Sequence, residues 1–191
     1  CKSEPSELFS GTSAVIVREV AGTGIFWPEF NINTLEFLFP GSAYMAYMES
    51  AEDIPFPGCK KAGLDADVYQ VRKEIIDPLT GGEILKTNLQ HTIALESAAL
   101  EEAGFAQGDI LMAVSVSGTC FGSVHWEGGN ASLTLFGNDL TTSHVDGLLS
   151  DEQIWFKHLN SHTGEISLLT PEFDLRFSSH NGLFQSNGIS A

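Results

Sequence analysis

Apolar residues along this chain gather in short runs separated by Gly, Asn, Ser, Asp and Pro. The densest set lies within residues 108–155, where the runs are 110–116, 120–126, 131–136 and 153–157. Ser117-Gly118, Glu127-Gly128-Gly129-Asn130 and a longer polar segment over 137–152 divide them. The runs are too short for helices, and they are rich in Val, Phe, Trp and Thr, which suit a pleated, half-buried surface. Turns at this spacing predict an antiparallel β meander on which the rest of the chain packs.

The pattern continues on both sides. Residues 13–20 (SAVIVREV) predict a strand, with Ala21-Gly22-Thr23-Gly24 as its turn. Ile25-Phe26-Trp27 enters a second strand, ended by Pro28, which cannot donate to a ladder. Residues 31–39 predict a short helix or an irregular turn broken by Pro40-Gly41, and 42–49 (SAYMAYME) an imperfectly alternating strand. Prolines hold 54–58 extended. Residues 1–59 thus form a small β unit, the polar stretch 60–67 a linker, and 68–191 a second module.

In that module 68–77 is strand-like, and Asp77-Pro78-Leu79-Thr80-Gly81-Gly82 carries turn chemistry. Residues 83–95 are extended, most clearly at 92–95. Residues 97–104 (SAALEEAG) are the one helical piece, with Ser97 as N-cap and Gly104 at the C-terminal end. Residues 154–159 and 165–169 flank Asn160-Ser161-His162-Thr163-Gly164 as a hairpin. Residues 173–177 are extended, and 181–190 form a glycine-punctuated tail. The expected fold class is all-β: an antiparallel β-sandwich with one short helix, either continuous or made of two packed β units.

Charge narrows the partners. The 191 residues carry a net charge of −16. That repels nucleic acid and anionic membranes, and both are set aside. No apolar run is long enough for a transmembrane segment, no charged-then-apolar leader is visible, and the chain does not begin with Met. It is read as a processed form or an excised piece. Cys1, Cys59 and Cys120 match no zinc spacing. Cys120 lies in an apolar run and reads as a buried small hydrophobe. A Cys1–Cys59 disulfide would imply an oxidising compartment. Alternatively, Cys1 followed by Lys-Ser-Glu-Pro-Ser-Glu resembles the lipidated start of a bacterial lipoprotein, and a free terminus is the third reading.

Candidate chemistry is thin. Ser, His and Asp occur without a Gly-x-Ser-x-Gly elbow. His125, His144, His158, His162 and His180 fall in the C-terminal half without a metal motif, and surface or turn roles are expected for them. No two carboxylates are visibly set for glycoside hydrolysis. Asn138, Asp139, Asp146, Asp151 and Glu152 crowd one loop region. They are candidate Ca²⁺ ligands, or an Asx-rich loop that bonds its own backbone. No other cofactor is implied. Trp27, Tyr44 and Tyr47 are candidate sugar-stacking residues, with Trp27-Pro28-Glu29 the part expected at the surface.

Two stretches resemble modules of large exported proteins of Bacteroidota. In residues 25–48 the pattern is aromatic-Pro-Glu, Asn-Thr-hydrophobic, then Pro40-Gly41 followed by Tyr44 and Met48. The companion module is matched at Gly108-Asp109-Ile110, Gly118-Thr119-Cys120-Phe121-Gly122, Leu135-Phe136-Gly137-Asn138-Asp139 and Asp146-Gly147. Residues 182–189 resemble its close. The opening Gly-Trp strand of the first unit is missing here, which the resemblance reads as trimming or as a strand supplied by a neighbour. The resemblance implies export by the type IX secretion route to the outer cell surface or beyond. The resulting expectation is a non-catalytic structural or adhesive β-sandwich module, a subunit of an extracellular assembly. The alternative is a carbohydrate-binding module, with or without structural calcium. Expected partners are other protein subunits, including copies of the same chain, or surface glycans. The tail 181–191 is expected to exchange with a neighbour.

Overall fold

A computed structural model describes residues 2–55 and 74–191. The expected Cys1–Cys59 pair, the linker 60–67 and most of the strand-like run 68–77 lie outside the described residues. The chain divides into two compact units, within residues 1–73 and 74–191.

The first unit opens with a single helical turn, α1 (Pro5–Leu8), with Pro5 in the first turn, where a missing N–H costs nothing. A four-stranded antiparallel sheet follows, built from β1 (Ala14–Glu19), β2 (Ile25–Trp27), β3 (Ile32–Asn33) and β4 (Tyr44–Met48). Its order is β3-β2-β1-β4. Pro28 ends β2 as expected, and a 3-10 turn over Pro28–Phe30 leads into β3. The segment read as a short helix or irregular turn therefore supplies the edge pair Phe26↔Asn33 and Trp27↔Ile32. Asn31 sits at φ 51°, a left-handed conformation that its short polar side chain tolerates. Leu8, Phe9, Val17, Leu35 and Leu38 form one core cluster of this unit.

The second unit is a sandwich. One sheet has the order β10-β9-β6-β7, from β6 (Ile110–Val114), β7 (Cys120–His125), β9 (Trp155–Leu159) and β10 (Ile166–Leu169). The other is β11-β5-β8, from β5 (Gln90–Leu95), β8 (Ala131–Phe136) and β11 (Ile189–Ser190). Between the sheets lie Ile93, Leu133 and Leu135 from one side and Leu111, Ala113 and Phe156 from the other. The opposite face of β6 is covered too: Ile110, Met112 and Val114 pack with Ile84 and Phe136. This explains why β6 reads as an unbroken apolar run rather than an alternating one.

The fold is all-β with short helical pieces, as its pattern predicts, but the strands are not a simple meander. β6 and β7 pair as a hairpin, β9 returns to pair with β6, and β8 crosses to the other sheet. The crossing is permitted by Gly122, where a Cβ would stand 2.4 Å from the Thr134 carbonyl oxygen. The tail also departs from expectation. β11 runs parallel to β5, with Ile189↔Thr92 and Ser190↔Ile93, so the tail completes its own sheet.

The helix α2 (Ser97–Glu102) forms where its composition predicts, and Gly104 terminates it at φ 85°. Ser97 does not cap it. The N-cap position is Glu96, without a side-chain bond. The Ser97 amide instead donates to Asn130 Oδ1, 2.9 Å away, from the β7–β8 turn.

Candidate functional site

Among the described residues, three polar networks stand out in the sandwich. The first centres on Asp109, 1% exposed at the start of β6. His158 Nε2, from β9, donates to Asp109 Oδ2 at 2.7 Å. The Ala106 amide donates to the same oxygen at 2.9 Å, and the Ser161 amide and hydroxyl donate to Oδ1 at 2.9 and 3.1 Å. The His158 ring stacks on Phe105, with centroids 3.9 Å apart. Burial alone would push the Asp109 carboxyl up. The donors from Ala106, Ser161 and His158 outweigh it and hold the group well below its ordinary range. Ser161 and His158 both bond Asp109, so the hydroxyl faces a carboxylate instead of an imidazole nitrogen. The arrangement is a clamp that ties the β9–β10 turn to the start of β6.

The second network fixes the tail. His91, 1% exposed on β5, accepts from the Gln185 amide at Nδ1. Nε2 therefore carries the proton and donates to Ser190 Oγ at 3.0 Å. Ser179 Oγ donates to Gln185 Oε1 at 2.7 Å. Gly188 fits beside this cluster because a Cβ there would stand 3.0 Å from His91 Nδ1 and from Ser179 Oγ. Ser190 is wholly buried, so this pair is a structural lock on β11.

The third network is the acidic loop. Asp139 N donates to Asp146 Oδ1 at 2.8 Å, and Asp146 N returns a bond to Asn138 Oδ1 at 2.9 Å. Thr142 Oγ1 donates to Asp146 Oδ2 and the Thr141 amide to Asp139 Oδ1. That last bond and the Thr141 hydroxyl lower the Asp139 carboxyl from its ordinary value. The loop thus brings Asn138, Asp139 and Asp146 together through their own backbone. Asp151 occupies a left-handed turn at φ 62° and gives its amide to the Phe184 carbonyl; Glu152 accepts the Leu149 amide. Among the described residues no group of three or more His, Cys, Asp or Glu side chains could hold a metal ion.

The aromatic candidates separate. Trp27 is fully buried, edge-on to Phe30 at 4.9 Å, so it offers no surface for a sugar; the expectation of an exposed Trp27 is corrected. It sits at an inward position of β2, between two turns that looked exposed. Tyr44 is half-buried, and its hydroxyl accepts the Phe39 amide at 2.9 Å. Tyr47 is exposed on β4. Cys120 is buried, and burial pushes its thiol up to about 12, as its apolar run predicts.

Sequence reading does not single out the edges. Among the described residues β3, β4, β7, β8, β10 and β11 each pair with one strand only. β10 carries Ile166 at 46% and Leu168 at 59% exposure, with Trp155 of neighbouring β9 at 41%. The register puts Ile166 opposite Leu159 and Leu168 opposite Lys157, on one face. Helix α2 and residues 169–174 meanwhile flank a cleft of about 510 Å³ opening between the two sheets. Among the described residues no helix is long and apolar enough to cross a membrane. Compared with known protein families, curated proteins and solved structures, the chain matches none of them.

Proposed function

We propose that this chain is a non-catalytic, exported β-sandwich module of the bacterial cell surface. Its task is to join copies of itself into an extracellular assembly through the edge of β10. The resemblance to exported Bacteroidota modules motivates the export and surface location. The observation that carries the contact role is an apolar, exposed edge strand, with Ile166 and Leu168 outward on β10. An open edge presents unpaired N–H and C=O groups, and natural folds usually blunt such edges with charge, proline or a bulge. Here one face of the edge strand exposes Ile166 and Leu168, and Ser167 is exposed on the other. Two β10 edges related by a two-fold axis would pair antiparallel and bring both apolar rows side by side on one sheet face.

A catalytic reading has less behind it. The Asp109–His158 and His91–Ser190 pairs are both buried, with their hydrogen bonds closed inside the fold. A glycan-binding reading loses Trp27, its main anchor, to the core.

The test is Leu168→Lys, which puts a charge on the edge without touching the core. Wild-type protein should form dimers or larger ordered particles by light scattering and negative-stain electron microscopy. The variant should remain a monomer with the same circular dichroism. A monomeric wild type at millimolar concentration would sink the proposal.

A further inference from the structure

The sandwich is closed along one side and open along the other. At β7 and β8 the sheets approach to backbone contact, as Gly122 and Thr134 show. On the β10 and β11 side a cleft enters the core. Ile93, Leu111 and Phe156 are core residues that also line it, with Leu100, Leu169 and Phe173 beside them. About 510 Å³ is within the range of pockets that hold ligands, and its lining is mainly apolar. The rim is different. Glu96 and Glu102 stand on the α2 side and Glu172 on the other, all exposed. Asp174, also on the rim, already holds a cation: Arg176 Nε donates to its carboxylate at 2.7 Å.

We infer that this cleft takes an extended, basic polypeptide segment from a different protein. Its alternate apolar side chains enter between the sheets, and its Lys or Arg residues meet the carboxylate rim. Three features argue for that occupant. An apolar floor under an anionic rim is complementary to an apolar cation and penalises an apolar anion. A strand presents side chains to opposite sides at every second residue, so one face can enter the cleft while the other stays with the charged rim. Another copy of this chain is a poor donor, because it carries only nine Lys and Arg residues against 25 Asp and Glu. The choice of a polypeptide rests on reading the chain as a contact module. The site touches β10 only at Leu169, which lies on the face opposite Ile166 and Leu168.

The probe is a fluorescein-labelled heptapeptide alternating lysine with valine and leucine, followed by anisotropy on the full chain. Its glutamate counterpart and octylamine serve as comparison ligands. The lysine peptide should bind with a Kd of roughly 10–100 µM. The glutamate peptide and octylamine should bind at least about tenfold more weakly. Glu102→Lys/Glu172→Lys, on exposed positions, should weaken the lysine peptide by about tenfold or more. Ala99→Phe, which narrows the mouth from the exposed face of α2, should weaken both peptides. Circular dichroism confirms that each variant is folded. Leu168→Lys should leave peptide binding unchanged while abolishing self-association, so the two claims fail separately. The inference is overturned if the lysine peptide fails to bind at millimolar concentration, or if octylamine binds as tightly. It is equally overturned if charge reversal has no effect, or if Leu168→Lys alone removes binding.

Discussion

Asp109 is the residue on which the second unit's polar architecture turns. One carboxylate satisfies two backbone amides, a hydroxyl and an imidazole from three separate segments. Removing it leaves the buried His158 imidazole without its acceptor and frees the part-buried Ala106 and Ser161 donors, so Asp109→Ala should cost about 3 kcal/mol of stability, measured by urea unfolding. Its pH dependence follows from the direction of its shift. The folded-state pKa lies below the unfolded value, so the stabilisation is complete above about pH 4. It is lost as pH falls from there toward the folded pKa. Thermal melts between pH 2 and 7 should show wild type losing stability in that window and Asp109→Asn losing less. Parallel curves for the two proteins would exclude Asp109 as the linked group. The Asp109–His158 pair spans 49 positions in the chain. No local pattern announces it, and His158 reads as a turn histidine until β9 is placed beside β6. Trp27 fails for a related reason: flanking turn residues suggest exposure, while the period-2 position that buries it depends on pairing with β1 and β3.

At the scale of elements, local chemistry locates the strands well. β2, β8 and the β9–β10 hairpin fall where the apolar runs and turns put them. The turn at Asp77 also forms, with Asp77 Oδ1 accepting the Leu79 amide and Ile76 bridging to Glu83. Partner choice is another matter. An apolar run has the same pattern whichever sheet it joins, and the β7–β8 crossing depends on a single missing side chain at Gly122. Gly122→Ala would force a Cβ to 2.4 Å from a backbone oxygen, where neither strand can yield cheaply. It should destabilise by about 2 kcal/mol, seen as a lower urea midpoint. An unchanged midpoint would mean that the sheets can separate there at no cost. The tail is set likewise by long-range chemistry. His91 selects Ser190, so deleting residues 181–191 should lower the melting temperature of the second unit rather than merely remove a donor strand. Differential scanning calorimetry reads this directly.

For the whole molecule, on the proposed reading, the sandwich gives rigidity while its open side and β10 edge supply contact. A net charge of −16 opposes association of copies at low salt. Near physiological ionic strength the screening length is about 8 Å, short enough for apolar edges to meet. Association through β10 should therefore strengthen as salt rises from low to physiological concentration, which light scattering across a salt series checks. The measurement that addresses the central claim most directly is amide hydrogen exchange at β10 over a range of protein concentrations at that ionic strength. Exchange at residues 166–169 should slow as concentration rises, in step with the assembled fraction, while β4 amides stay constant and Leu168→Lys removes the effect. Exchange at β10 that is independent of concentration, in protein that nevertheless associates, would place the contact elsewhere and contradict the account.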